Sequence, residues 1–126
     1  MEYSQIFSDS DNHCVRIDWK AETEDTLFCL QEKWGEKYSA LHNAEFLSLA
    51  ENYFVETAED HLPAFGQELT LHNLALYNIV EDSDSYCLVI MPQEDTSVFE
   101  KCARSKKVKV ECTASCSFGS KKFAGC

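Results

Sequence analysis

Two apolar runs separated by four polar residues constrain this chain more than any other feature. Leu74-Ala75-Leu76-Tyr77-Asn78-Ile79-Val80 and Tyr86-Cys87-Leu88-Val89-Ile90-Met91 flank Glu81-Asp82-Ser83-Asp84. Short apolar runs joined by Asp and Ser predict a β-hairpin, and the period-two pattern already starts at Leu69 and Leu71. The second run is apolar at successive positions, so both its faces must be buried and it belongs in the middle of a sheet. Covering such a strand takes a real core. With 126 residues, 44% of them hydrophobic, the chain can supply one without disulfides.

The flanking segments alternate in type. Val15, Ile17 and Trp19 alternate with Cys14, Arg16 and Asp18, which predicts a strand over 13–19 with one buried face, after a loop at Ser8-Asp9-Ser10-Asp11-Asn12. Thr23 stands before Glu24 and Asp25 as an N-cap, and Leu27, Leu30 and Trp34 then recur at helical spacing up to Gly35. Asn43 caps a second helix with Phe46, Leu49, Ala50, Tyr53 and Phe54 on one stripe. Pro63 should end that helix near His61 or Leu62, leaving Gly66 in a loop. After Pro92, the stripe Val98, Phe99, Cys102 and Ala103 predicts a third helix over 93–104. Val108, Val110 and Cys112 alternate with Lys107, Lys109 and Glu111 as a last strand, where lysines discourage edge pairing.

The order β-α-α-β-β-α-β predicts a single α+β domain over 1–112. It has a mostly antiparallel four-stranded sheet with three helices, packed mainly on one face. The remainder, 113–126, carries Cys, Ser, Gly and Lys with only Phe118 and Phe123 as anchors, and is expected to be a mobile basic tail.

The formal charge of −11 conceals a division. Residues 1–100 hold 4 basic and 21 acidic side chains, a balance of −17, whereas 101–126 hold 7 basic and one acidic, a balance of +6. An acidic body disfavours nucleic acid and favours a basic protein partner. No N-terminal basic region precedes an apolar run, and no stretch approaches a membrane span of about 18 apolar residues. A cytoplasmic setting with mostly free thiols is expected. Cys29, Cys87 and Cys102 lie within apolar patterns as small hydrophobes.

Chemical motifs are sparse. Cys112 and Cys116, with Cys126, offer one closely spaced pair where a structural zinc wants two, so no metal is assigned. The loops starting at Asp9 and Asp82 lack the glycine and glutamate of a calcium loop, and their Asp and Ser residues read as turn formers. His13, His42, His61 and His72 are scattered, outside any nucleophile motif, and read as surface or helix-end residues. Four glycines, none spaced to cradle a phosphate, argue against a nucleotide enzyme. Neither a cofactor nor a catalytic residue is assigned. Of the aromatic residues, Tyr77, Tyr86, Phe7, Tyr38 and Trp34 are expected mainly in the core, and Trp19 beside Lys20 is the candidate for contact with a partner.

At Trp19, and again over Asp82-Ser83-Asp84-Ser85-Tyr86, Leu88-Val89-Ile90-Met91-Pro92, Glu94-Asp95, Phe99 and Ala103, the chain resembles small bacterial α+β domains of unknown function found among immunity-type proteins. The resemblance implies a bacterial, cytosolic, non-enzymatic interaction protein. The leading expectation is an acidic protein-binding module, an immunity-type inhibitor of a cationic toxin such as a nuclease. Its contacts would be Glu81, Asp82 and Asp84 on the hairpin loop, Glu56, Glu59 and Asp60 late in the second helix, and Trp19. The alternatives are a small enzyme or ligand-binding domain with a pocket between sheet and helices, or an accessory domain that self-associates through its last strand.

Overall fold

A computed structural model describes residues 3–52, 58–81 and 85–114, without the side chains of Ser10, Asp11, Asn52, Glu59 and Asp60. In chain order they form helix α1 (Tyr3–Ser8), the single turn α2 (Ser10–His13), strand β1 (Val15–Asp18) and helix α3 (Thr23–Trp34). A 3-10 turn (Ser39–His42) leads to α4 (Ala44–Asn52) and α5 (Ala58–Thr70). Then follow β2 (Leu74–Ile79), β3 (Ser85–Pro92), a 3-10 turn (Gln93–Asp95), α6 (Thr96–Ser105) and β4 (Val110–Cys112).

The predicted hairpin forms, with register from Leu74 opposite Pro92 to Ile79 opposite Cys87. The sheet is antiparallel throughout, in the order β1-β3-β2-β4, so β2 and β3 are its interior strands. All six residues of β2 are buried. Alternate side chains of a strand point to opposite faces, so both faces must be covered. On one face the Tyr77 ring meets Phe99 of α6 at 5.0 Å, and Phe7 and Tyr3 of α1 pack on Phe99 at 5.3 and 5.9 Å. Hydroxyls seal this layer: Tyr77 donates to Glu100, and Tyr3 to Asp95 at 2.5 Å. On the other face lie Leu74, Leu76, Leu88 and Ile90, under the layer of α3, α4 and α5, in which Phe46 and Phe65 stack at 6.0 Å. The expectation of helices mainly on one face is corrected accordingly, because two-faced strands require two helical layers. Four helices of nine residues or more are present among the described residues, rather than three helices in all.

Polar groups inside the sheet are few. Asn78, in the middle of β2, accepts the Cys87 N–H through Oδ1 at 3.0 Å and lies 3.5 Å from Glu111 through Nδ2. Cys14, placed by alternation on the polar side of the first strand, is 6% exposed, and its free thiol is in hydrogen-bond contact with that of Cys87. That contact and burial push its thiol far above the ordinary range.

The segment 8–12, expected to be a loop, is largely helical, because Tyr3, Ile6 and Phe7 form one apolar turn docked on α6, and Asn12 donates to Asp9 twice, from its backbone N–H to the carbonyl at 3.2 Å and from Nδ2 to the carboxylate at 2.8 Å. Glu22, not Thr23, holds the N-cap position of α3. The second predicted helix divides: α4 ends at Asn52, Tyr53 and Phe54 lie outside the described residues, and α5 runs through Pro63 to Thr70. A proline within a helix costs about 3 kcal/mol. Burial of Leu62, Phe65 and Leu69 on one stripe of α5, at roughly 1.5–3 kcal/mol each, outweighs it. Leu69 and Gly66 are therefore helical, and the strand begins at Leu74, after Asn73 with φ 62°.

Gly66 meets the far end of the chain. Thr113 is fully buried, and its N–H and hydroxyl both donate to Leu76 O, at 3.0 and 3.2 Å. A Cβ on Gly66 would overlap Thr113 Oγ1 and come within 2.7 Å of the Ala114 nitrogen. Gly→Ala within a helix ordinarily gains about 1 kcal/mol. Here the collision with backbone reverses the sign, and Gly66→Ala is expected to lower stability by about 1–3 kcal/mol, read from the urea midpoint.

Burial, and then the bond to Glu100, hold the Tyr77 phenol well above its ordinary value of 10.0; burial and Asp95 do the same for Tyr3. Above pH 10 the unfolded chain releases these protons and the fold keeps them, so stability is level through neutral pH and falls as pH rises past 10. Tyr77→Phe should flatten that alkaline decline in urea midpoints measured from pH 8 to 11, while lowering stability at pH 8.

Candidate functional site

The topology collects sequence-remote segments at one end of the sheet. Asp18 at the end of β1 stands opposite Ser85 at the start of β3, so the turn after β1 lies at the hairpin end, near Glu81. That turn is pinned by Ala21 N–H donating to Asp18 O at 2.9 Å and Lys20 N–H to the Asp18 carboxylate at 3.2 Å. It leads directly into α3, whose first turn carries Glu24 and Asp25. The Trp19 carbonyl accepts the Ala58 N–H at 3.0 Å, which brings the first turn of α5 to the same place.

Trp19 lies just past the last residue of β1, so it leaves the buried alternation and is 42% exposed, with the Lys20 ammonium 5.2 Å from its ring centre. Around it Asp18, Glu22, Glu24 and Asp25 are exposed. Glu81 is half-buried and paired with Arg16. Of the residues expected to contact a partner, Trp19 and Glu81 thus share this end, and Glu59 and Asp60 join it through the backbone of α5. Glu56, Asp82 and Asp84 lie outside the described residues. Asp18, Glu22, Glu24 and Asp25 were not among the expected contacts. Acids at a helix N-terminus have a sufficient local explanation in the helix dipole, and only the strand register places them beside Trp19. Tyr77 and Trp34 are buried, and Phe7, Tyr38 and Tyr86 pack against the core, as the aromatic pattern predicts.

His61 departs from the expectation of surface histidines. It is fully buried, and its Nε2 lies 2.8 Å from Thr26 Oγ1 and its Nδ1 3.4 Å from Thr23 Oγ1. Its ring stands edge-on to Phe65 at 5.6 Å. This cluster ties α3 to α5 immediately beneath Trp19's turn, with Thr23 and Thr26 equally enclosed. Spacing gave no warning of it, since His61 appears polar only until α5 is seen to continue through Pro63. The other three histidines lie at or just past the ends of helical segments, with His72 Nε2 3.4 Å from Glu68.

Among the described residues no group of three or more His, Cys, Asp or Glu side chains could hold a metal ion; Cys116 and Cys126 lie outside them. A shallow groove of about 280 Å³ runs between β1 and α3, lined by Val15, Arg16, Cys29, Glu32 and Lys33. No helix among the described residues is long and apolar enough to cross a membrane.

Fold and surface together define an α+β domain with a four-stranded antiparallel sheet between two helical layers and a strongly acidic sheet end bearing an exposed tryptophan. The chain belongs to the family described as Domain of unknown function (DUF6630), whose pattern matches residues 4–113. No curated protein and no solved structure matches it.

The buried histidine cluster generates a stability prediction. His61→Leu keeps the volume but leaves two enclosed threonine hydroxyls without the imidazole, at a cost of about 1–3 kcal/mol. Adding Thr26→Val should recover part of that loss, a non-additivity visible in a double-mutant cycle of urea midpoints.

Proposed function

We propose that this protein is an acidic protein-binding module of the immunity type, which inhibits a cationic toxin domain such as a nuclease by covering its phosphate-binding surface. The observation that carries the reading is the convergence of exposed Trp19 with Asp18, Glu22, Glu24, Asp25 and Glu81 at one end of the sheet. A nuclease site is electropositive because it accepts phosphates. An acidic inhibitor gains association rate and specificity from the complementary potential. A tryptophan amid those charges supplies the apolar anchor, since aromatic hot spots carry most of the free energy of such interfaces.

An enzyme or small-ligand domain would use a pocket between sheet and helices. Among the described residues, the groove of about 280 Å³ beside β1 lies near the lower end of the roughly 300–1,000 Å³ of small-molecule sites. What favours the acidic end is the convergence of exposed acids on Trp19.

The test inspects the genes on either side of this protein's own and immobilises any cationic nuclease domain encoded there for kinetic binding measurements; absence of such a domain would count against the reading. Trp19→Ala is expected to weaken binding about thirty-fold, mainly through faster dissociation, the effect of losing a hot spot of about 2 kcal/mol. Asp18→Lys combined with Glu81→Lys should slow association and flatten its dependence on salt. Unchanged kinetics in both variants, or no binding by the unaltered chain, would refute the reading.

A further inference from the structure

We propose that Cys14 and Cys87 are a redox pair, which a hydroperoxide closes into a disulfide that ties β1 to β3 and which a small thiol reopens. The proposal is independent of the acidic end and of the toxin it is proposed to meet. Of the five described cysteines these two are the buried ones, and both carry thiols rather than a disulfide.

Strand pairing brings the two together from distant parts of the chain. β1 and β3 run antiparallel with Val15 opposite Leu88 and Arg16 opposite Cys87. Cys14, one residue before β1, therefore lies diagonally across from Cys87 on the same side of the sheet, and the thiols are in hydrogen-bond contact. Diagonal neighbours stand farther apart at the backbone than most disulfides span, so closure needs a small movement of one strand. Cys14 supplies it, because it sits between the single turn of α2 and the start of β1, outside the paired residues. Cys87 stays in place, paired with Arg16 on one side and Ile79 on the other, its N–H held by Asn78.

Access sets the order of events. Cys14 is the less enclosed of the two, at 6% exposed against a fully buried Cys87. In the docked strand the contact with Cys87, and then burial, hold the proton on Cys14, and a protonated thiol is a poor nucleophile. The docked pair is therefore shielded, and reaction begins when the start of β1 frays and water reaches Cys14. Its proton leaves, and the sulfur attacks one oxygen of hydrogen peroxide. The O–O bond breaks, the departing oxygen takes up a proton as water, and Cys14 is left as a sulfenic acid. As β1 docks again, the Cys87 sulfur attacks that of Cys14; the S–S bond forms, the S–O bond breaks and a second water leaves. Two thiols and one peroxide thus become one disulfide and two waters. The new bond closes a loop over 14–87 and fixes the register of the strand that ends just before Trp19, so oxidation stabilises the fold.

The full-length reduced chain is exposed to millimolar hydrogen peroxide in native buffer, blocked with N-ethylmaleimide and digested with trypsin without reduction. Cleavage after Arg16, Lys37 and Lys101 leaves Cys14 as the one cysteine of fragment 1–16 and Cys87 as the one cysteine of fragment 38–101. Mass spectrometry should find the two fragments joined, two hydrogens lighter than their sum, and dithiothreitol should separate them. The oxidised chain should unfold at higher urea, and its amides over 15–18 should exchange with deuterium at least about ten-fold more slowly than in the reduced chain. Cys87→Ala should stop the reaction at the Cys14 sulfenic acid, which dimedone traps in that variant and not in the unaltered chain. The mapping itself uses the unaltered chain and does not depend on how the variant folds. Absence of the joined fragments overturns the proposal. So do their formation only in denaturing urea, a urea midpoint that oxidation leaves unchanged or lowers, and a dimedone adduct on Cys14 of the unaltered chain in place of the disulfide.

Discussion

The structure depends on a pair of strands that tolerate water on neither face. Once β2 and β3 pair, the apolar side chains of Leu74, Leu76, Leu88 and Ile90 on one side and Ala75, Tyr77, Val89 and Met91 on the other must each be covered. Burial of a large apolar side chain contributes roughly 1.5–3 kcal/mol, so neither face can be left open at an acceptable cost. The remaining chain answers this demand. α3, α4 and α5 form one cover, and α1 with α6 form the other, closed by the aromatic contacts of Phe99 with Tyr3, Phe7 and Tyr77. Tyr3–Ser8 is drawn into helix by the need to cover this second face.

The same arrangement sorts the charges. With both sheet faces hidden, exposed acids are left at the helix surfaces and strand ends. The antiparallel pairing of β1 with β3 then sets the turn at Trp19 beside the hairpin. The helix N-termini of α3 and α5 meet there and favour acids on electrostatic grounds of their own. An acidic surface thus grows from local stabilisation. Basic side chains, scarce in the body, gather instead before the opposite edge strand, where Arg104, Lys106, Lys107 and Lys109 are exposed ahead of β4.

Local pattern made the hairpin, α3, α6 and the last strand legible, because each carries one clean period of apolar residues. It failed where long-range contacts overrule local preference. Pro63 is a helix terminator by conformation, yet the stripe Ala58, Leu62, Phe65 and Leu69 is worth more than the lost bond. Thr23 reads as a cap until His61 is known to lie across from it. Trp19 and Glu81 could be named individually from residue type. That they share one end with Asp18 and the start of α5 depends on strand register and on one backbone bond from Ala58, neither of which residue spacing encodes.

Asn78 has a larger part than its single side chain suggests. In a strand buried on one face, slipping by one residue turns every apolar group toward water, and hydrophobicity alone forbids the error. β2 and β3 are apolar on both faces, so a slipped pairing would exchange one oily surface for another at little expense. The amide oxygen of Asn78, fixed on the Cys87 N–H, works as an address label, and the Tyr77 hydroxyl on Glu100 as a second. A misaligned hairpin would strand both in the interior, each unmet group costing about 1–3 kcal/mol. The information that selects one alignment of the central hairpin therefore resides in its polar atoms, while its oil supplies adhesion without direction.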